Sequence, residues 1–160
     1  MAYWIETGLP AKLAIMPAPY GGSRTEDEIR TLKREGADVL VSLLTPGEEF
    51  DLGLEHERAA CDGHGIRFRS FPIPDRDVPA STADFLKFID TLHYDLLQGR
   101  SIVAHCRAGI GRSSLLLASL LRREGLSADD AFRRITQARR MLVPDTPAQL
   151  HWVENLRLEP

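Results

Sequence analysis

Long apolar runs, abundant cysteine and an excess of basic charge are all missing from this 160-residue chain. No apolar stretch approaches the ~20 residues that a membrane-spanning helix needs, so no membrane span is expected. Two cysteines do not make a disulfide framework. A formal net charge of −3 argues against a general nucleic-acid-binding surface. These absences leave a globular protein of ordinary composition.

The chain also lacks repeats and low-complexity linkers. Its first residues do not combine a basic region with a long apolar stretch, so no secretory signal is visible. The hydrophobic content of 43% is ordinary for a globular protein. A length of 160 residues suits one hydrophobic core. We therefore expect a single domain over residues 1–160.

The most informative segment is residues 105–113, with the sequence HCRAGIGRS. It follows a short apolar run at residues 101–104, which predicts a buried strand, and it precedes a strongly apolar helix. Cys106 and Arg112 therefore lie in one compact loop between a strand and a helix. Backbone N–H groups at a helix N-terminus have no helical partners, so they can bind an anion.

The residue types in this loop are those needed for a cysteine sulfur to attack a phosphate ester. A cysteine attacks only as the thiolate, and a helix N-terminus beside positive charge lowers the thiol pKa from about 8.5. Gly109 and Gly111 let backbone N–H groups turn inward onto the anion. Arg112 offers a planar pair of donors to two phosphate oxygens. Ser113 is predicted to donate its hydroxyl to the Cys106 sulfur.

Two other kinds of glycine-rich loop are excluded by spacing. Residues 109–114, GIGRSS, lack the third glycine of a dinucleotide-binding turn, and no Gly-Lys-Ser/Thr of a nucleotide triphosphate loop is present. His105 is predicted to orient its neighbour rather than to act as a base, because a thiolate that has already formed needs no base.

The pattern HCxxGxxRS at residues 105–113 resembles the signature of the cysteine-dependent protein tyrosine phosphatase superfamily. The short chain and the surrounding pattern are similar to the compact, atypical members of its dual-specificity branch, over about residues 13–156. The resemblance implies a covalent phosphocysteine intermediate on Cys106 and no metal or other cofactor. Phosphate, or an oxyanion inhibitor such as vanadate, is expected to bind to Arg107, Ala108, Gly109, Ile110, Gly111 and Arg112.

A second group of residues lies at 71–79, FPIPDRDVP. The prolines require the chain to leave the sheet here as a loop. The departing oxygen of a phosphate ester needs a proton, and a positioned acid that supplies it contributes about 10²–10⁴-fold. In the superfamily an aspartate after a proline on a mobile loop does this, so the resemblance implies Asp75 as the general acid. Asp77 is the alternative.

Two further residues are singled out by the resemblance alone. In the superfamily a loop near residues 143–149 often carries a glutamine that holds the hydrolytic water, and Gln149 matches in position and type. Its alternative is a surface helix residue, and Asp145 could share the role. In some members an upstream cysteine forms a disulfide with the nucleophile. Cys61 would be that residue here, with a simple packed thiol as the alternative.

Strands and helices alternate along the chain. We predict strands at residues 4–6, 13–16, 38–44, 66–71 and 101–104. We predict helices at residues 25–35, 52–60, 81–97, 114–123, 127–140 and 146–156. Thr25 and Glu28 form a predicted capping box for the first helix, Ser81 and Ser127 are predicted caps, and residues 45–47 are a predicted turn. Arginines at 133, 134, 139 and 140 are predicted to be helix surface charges or to dock an acidic substrate.

The alternation indicates an α/β fold with a mainly parallel sheet of four or five strands, covered by helices on both faces. Cys106 then lies at the carboxyl edge of the sheet, where ligands bind in such folds. The resemblance agrees, since it implies a protein tyrosine phosphatase-like fold.

We therefore predict a phosphoric monoester hydrolase acting on phosphotyrosine in proteins, and also on phosphoserine and phosphothreonine if the cleft is shallow. Three alternatives stay open: a phosphoinositide or inositol phosphate phosphatase, an RNA 5′-phosphatase and a non-catalytic phosphate-binding module. The first favours more positive charge than Arg107 adds to the loop. A thiolate enzyme needs a reducing compartment, so the cytoplasm is expected. The sequence determines neither the natural substrate nor the oligomeric state, for which a monomer is the default expectation.

Overall fold

A computed structural model describes residues 1–10 and 12–158 of the chain. Its five strands are β1 Tyr3–Ile5, β2 Leu13–Met16, β3 Val39–Ser42, β4 Arg67–Ser70 and β5 Ile102–His105. They form one sheet in the order β1-β2-β5-β3-β4. Only β1 runs antiparallel to its neighbour among these strands. The predicted α/β class and mainly parallel sheet are confirmed.

Within the described residues, helices lie on both faces of this sheet. They are α1 Thr25–Glu35, α2 Pro46–Asp51, α3 Glu57–Gly63, α4 Thr82–Leu97, α5 Arg112–Arg123, α6 Ala128–Arg139 and α7 Pro147–Glu154. The predicted caps at Ser81 and Ser127 are confirmed, since each hydroxyl accepts a hydrogen bond from the backbone N–H three residues later. Of the helices described, none has the length and apolarity that spanning a membrane would require.

Strand side chains alternate between two apolar clusters, one on each face of the sheet. Ile102 and Ala104 of β5 pack against α4, α5, α6 and α7, whereas Val103 packs with α1 and α3. The alternation continues past the end of β5. Cys106 therefore belongs to the cluster under α4–α7, and His105 faces the side of α3, where it contacts Glu57.

Residues 45–63 differ from the prediction, which placed a turn at 45–47 and one helix over 52–60. Thr45 is instead the N-cap of α2, with Pro46 in the first helical position. The Thr45 hydroxyl accepts from the Glu48 N–H at 3.4 Å, and Glu48 Oε1 accepts from the Thr45 N–H at 3.2 Å. Thr-x-x-Glu is a capping-box signature that the neighbouring Pro-Gly pair masked. The chain leaves α2 after residue 51 and becomes helical again only at Glu57.

The predicted capping box at Thr25 is wrong. Thr25 is the first residue of α1, and its hydroxyl donates to the Tyr20 carbonyl at 2.9 Å. Glu28 accepts from the Tyr20 N–H at 2.7 Å. Both side chains therefore connect the loop before α1 to the first turn of the helix. They do not form a capping box, because the short 3-10 turn at residues 22–24 directly precedes Thr25.

Candidate active site

The loops that follow the parallel strands meet around Cys106 at the carboxyl edge of the sheet. The Ala18 N–H, after β2, donates to the Arg107 carbonyl at 3.0 Å. The Ile73 N–H, after β4, donates to the Leu43 carbonyl at 3.0 Å, after β3. Because β5 is central in the sheet, its following loop is bordered by the loops of its neighbours on both sides.

Two glycines let the loop at residues 105–113, called here the catalytic loop, fit between these neighbours. Gly109 has a φ of +69°, and a Cβ there would lie 2.5 Å from backbone atoms of Met16 and Pro17. A Cβ at Gly111 would lie 2.8 Å from the side-chain amide of Gln149. A larger residue at either position requires the backbone or a buried side chain to shift.

The Cys106 side chain is buried, with Sγ 3.3 Å from the Ser113 hydroxyl. Burial by itself would raise the pKa of the Cys106 thiol. Hydrogen bonds from the Ser113 hydroxyl and from the backbone N–H groups of Ser113 and Ile110, together with the charge of Arg112, lower that pKa below its ordinary value. The geometry therefore favours the predicted thiolate.

His105 lies on the other side of the loop backbone, fully buried. Its Nε2 is 2.6 Å from Glu57 of α3, and its Nδ1 is 3.1 Å from the Cys106 carbonyl. Burial would lower the pKa of His105, but the charge of Glu57 and its hydrogen bond raise it overall. Each ring nitrogen contacts an oxygen, of Glu57 or of the Cys106 carbonyl, so His105 holds the loop and has no nitrogen left to accept a substrate proton. Nothing in the sequence pointed to Glu57, because the contact depends on where α3 packs.

Cys61 is buried like Cys106, but the charges and hydrogen bonds around the two thiols differ. Cys61 lies on α3 and belongs to the apolar cluster between the sheet and helices α1 and α3. Burial, followed by the charges of Glu57 and Asp62, raises its pKa to about 12. This environment describes a packed thiol, the simpler of the two interpretations of Cys61.

We expect iodoacetate to label Cys106 and spare Cys61 in the folded protein at pH 6 to 7. A thiol reacts as thiolate, which exists above its pKa. Reactivity of Cys106 therefore persists below the ordinary thiol range and is lost only as the pH falls through its lowered pKa. Cys61 stays protonated until the pH approaches its value of about 12. Peptide mass spectrometry over pH 5 to 9 measures both sites, and denatured protein, in which both should label alike, is the control. Equal labelling of the two in folded protein would contradict the expectation.

Arg112, the first residue of α5, is 1% exposed and joins three segments. Its two terminal nitrogens contact the two carboxylate oxygens of Glu48 at 2.7 and 2.9 Å. They also donate to the Ile73 carbonyl at 2.8 Å and to Asp75 at 3.1 Å. The hydrogen bonds from Arg112 hold the pKa of Glu48 at about 2, so Glu48 is ionised at every ordinary pH. Sequence reasoning missed Glu48, which orients the guanidinium.

We expect Glu48→Gln to weaken the binding of inorganic phosphate about 10- to 100-fold. The amide presents one acceptor where the carboxylate presents two, so one charged hydrogen bond to Arg112 is lost, a loss of about 1.5–3 kcal/mol. The inhibition constant of phosphate measures the effect. Glu49→Gln is the matched control, because Glu49 neighbours Glu48 on α2 without contacting Arg112 in the structure. Equal losses in both variants would contradict the role of Glu48.

The loop at residues 71–79, called here the acid loop, distinguishes its two aspartates. Asp75 is 60% exposed and directed toward Arg112. The carboxylate of Asp77 instead accepts from the Val78 N–H at 2.7 Å, so it is occupied within its own loop. A turn closed from the Asp77 N–H to the Pro74 carbonyl, at 3.1 Å, places Asp75 inside the turn and Asp77 at its end.

The acid loop is tied to the segment before α7. Arg76 pairs with Asp145 at 2.9 Å. Gln149 donates to the Asp77 carbonyl at 3.2 Å, and its own carbonyl accepts from the N–H groups of Asp145 and Thr146 at 3.2 and 3.1 Å. Gln149 is fully buried, so the surface interpretation of this residue is wrong. It caps α7 while lying against the catalytic loop.

Comparisons with known proteins show the family of this chain. A family model described as "Tc-R-P: Polymorphic toxin system, DSP-PTPase phosphatase" matches residues 14–126. Dual specificity protein phosphatase 2 of Homo sapiens is 31% identical over 91 residues, covering 54% of this chain and 29% of that protein. Protein tyrosine phosphatase type IVA 3 of Bos taurus is 28% identical over 131 residues, covering 81% of this chain and 69% of that protein.

The fold likewise matches solved structures. A crystal structure of kinase associated phosphatase, with its catalytic cysteine replaced by serine, aligns with a TM-score of 0.85 and 20% identity, covering 96% of this chain and 91% of that one. At this identity the match speaks for the fold alone. The chain spans half or less of the length of three curated relatives that it matches.

Proposed function

This chain belongs to the DSP-PTPase phosphatases, within the cysteine-dependent protein tyrosine phosphatase superfamily, and we propose that it hydrolyses phosphate monoesters on proteins through a phosphocysteine intermediate. The leading substrate is phosphotyrosine, with phosphoserine and phosphothreonine as further candidates. The observation that carries the proposal is one short loop that combines the buried Cys106 thiol, 3.3 Å from the Ser113 hydroxyl, with the buried guanidinium of Arg112. Asp75 lies 3.1 Å from that guanidinium.

In the first step the Cys106 thiolate attacks phosphorus in line with the ester oxygen. A sulfur–phosphorus bond forms as the phosphorus–oxygen bond breaks, and Asp75 gives its proton to the departing oxygen. Backbone N–H groups of the catalytic loop and Arg112 hold the remaining phosphate oxygens. These donors are in place before the reaction, so they stabilise the transition state without reorganising.

In the second step a water molecule attacks phosphorus and breaks the bond to sulfur. Asp75, now ionised, takes a proton from that water, and inorganic phosphate leaves. Ser113 donates to the departing sulfur, which stabilises it as a thiolate. The Gln149 carbonyl accepts two backbone N–H groups, and one hydrogen of its NH₂ is donated to the Asp77 carbonyl. We propose that the second hydrogen of that NH₂ contacts the water.

Protein substrates are favoured over inositol phosphates by the small surplus of positive charge in the loop. Arg107 is the only basic residue of the loop besides Arg112 that could meet a second phosphate. It is half exposed and lies 3.6 Å from the Glu48 carboxylate, which offsets part of its charge.

We further propose that residues 1–160 act as one catalytic domain, as a monomer in a reducing compartment such as the cytoplasm.

The test is a substrate panel at about pH 6, with and without vanadate. It contains an aryl phosphate, phosphotyrosine and phosphoserine peptides, and inositol phosphates. We expect hydrolysis of the aryl phosphate and the phosphotyrosine peptide, abolished by vanadate. Phosphate release from inositol phosphates alone would overturn the substrate class. Tight vanadate binding without hydrolysis of any substrate would overturn the enzymatic proposal in favour of a phosphate-binding module.

A further inference from the structure

The outer side of the catalytic loop is contacted by Arg139, the last residue of α6. Its Nε donates to the Gly109 carbonyl at 3.0 Å, and its Nη2 donates to the Ala108 carbonyl at 3.2 Å. The guanidinium also lies over the ring of Tyr3, 4.6 Å from the ring centre. The Arg139 side chain, which itself packs on the Tyr3 ring, therefore holds two consecutive peptide groups of the loop.

These contacts control which way the loop N–H groups point. A peptide unit is planar and trans, so its C=O and N–H point in opposite directions. The Ala108 carbonyl shares its peptide unit with the Gly109 N–H, and the Gly109 carbonyl shares its unit with the Ile110 N–H. A donor that holds both carbonyls outward therefore directs both N–H groups inward. The Ile110 N–H is one of the groups that bond to the Cys106 sulfur.

We propose that Arg139 is a positioning residue that holds the catalytic loop in its anion-binding conformation through the carbonyls of Ala108 and Gly109. The inference rests on the proposed function, since it concerns the same site. An arginine suits this task because its planar donors fit two acceptors at fixed spacing, whereas a lysine ammonium is a point charge on a flexible stem. Gly109, at a φ of +69°, belongs to a residue type that adopts many backbone conformations without strain, so contacts to its carbonyl can select one of them. The charge of Arg139 is thus used inside the molecule rather than for docking an acidic substrate.

The competing interpretation is that Arg139 only fastens α6 to the rest of the fold. Arg134 supplies the matched control, because it lies on the same helix and donates to the Glu6 carbonyl at 2.8 Å. It ties α6 to the segment after β1 without contacting the catalytic loop. A fastening role predicts that Arg139 and Arg134 variants behave alike.

The experiment compares R139Q, R139K and R134Q with the wild type. The readouts are the inhibition constant of inorganic phosphate, the pH dependence of Cys106 carboxymethylation, kcat and KM for an aryl phosphate, and thermal unfolding. We expect R139Q to weaken phosphate binding about tenfold and to move the Cys106 reactivity profile to higher pH, since two charge-assisted contacts are lost. R139K should bind phosphate more tightly than R139Q and less tightly than the wild type. R134Q should stay within about twofold of the wild type.

Wild-type phosphate binding and an unmoved reactivity profile in R139Q would overturn the inference, as would equal losses in R134Q. If R139Q does not fold, R139K decides, and wild-type phosphate affinity in that variant would overturn the inference. Phosphate binding and thiol titration need no turnover, so the two proposals fail separately. A wild type that binds phosphate without hydrolysing any ester overturns the proposed function, while a loss of that binding in R139Q still supports the role of Arg139.

Discussion

Replacing Cys106 by serine is expected to lower kcat about 10⁴-fold or more while inorganic phosphate still binds. A serine hydroxyl stays protonated at neutral pH, so the covalent step loses its nucleophile. Removing a catalytic nucleophile lowers kcat by this factor or more. The proposed phosphate donors are backbone N–H groups and Arg112, which the substitution leaves in place. Steady-state hydrolysis of an aryl phosphate and calorimetric titration with inorganic phosphate measure the two properties separately.

Cys61→Ala is the matched control for that variant. Cys61 is buried in the cluster under α1 and α3, so its replacement should affect unfolding while kcat stays near the wild-type value. Acid quenching during turnover should also trap phosphate on Cys106 in the wild type. Retained turnover in Cys106→Ser, or trapped phosphate on another residue, would eliminate the covalent scheme.

Asp75→Asn is expected to lower kcat/KM about 10²–10⁴-fold for esters of poor leaving groups such as phenyl phosphate. A poor leaving group needs the proton that asparagine cannot supply. A nitrophenolate leaves without protonation, so the loss for nitrophenyl phosphate should be less than about tenfold. The ratio kcat/KM is the informative quantity, because it reports the steps up to departure of the alcohol and excludes the hydrolytic step common to both substrates.

Asp77→Asn tests whether the acid has been assigned correctly. The Asp77 carboxylate bonds to the Val78 N–H, so this substitution should perturb the acid loop without selecting between leaving groups. A leaving-group-dependent loss in Asp77→Asn, together with equal losses for both esters in Asp75→Asn, would transfer the role of general acid to Asp77.

The sequence predicted best those structural features that depend on residues close to one another along the chain. Cys106 and Arg112 fall in one loop because a strand ends just before the first and a helix begins at the second. The N–H groups at the start of that helix have no helical partners and need an acceptor. Prolines at 72, 74 and 79 force the acid loop out of the sheet because they cannot donate to a strand ladder. The same local logic failed at Thr45, where Pro-Gly suggested a turn and a capping box started a helix.

The sequence by itself determined the α/β class, because strands and helices that are each specified locally alternate along the chain. It also determined the candidate phosphate-binding loop and the two candidate acids, because each group lies within a few positions of the chain. Only the tertiary structure decided which residues support that loop: Glu48 on Arg112, Glu57 on His105 and Arg139 on Gly109, pairs separated by 64, 48 and 30 positions. The order of the strands determines which loops and helices meet at one edge of the sheet, and therefore which distant side chains become partners. A buried charge or carbonyl needs a partner, but its sequence neighbours do not specify which distant side chain will supply it.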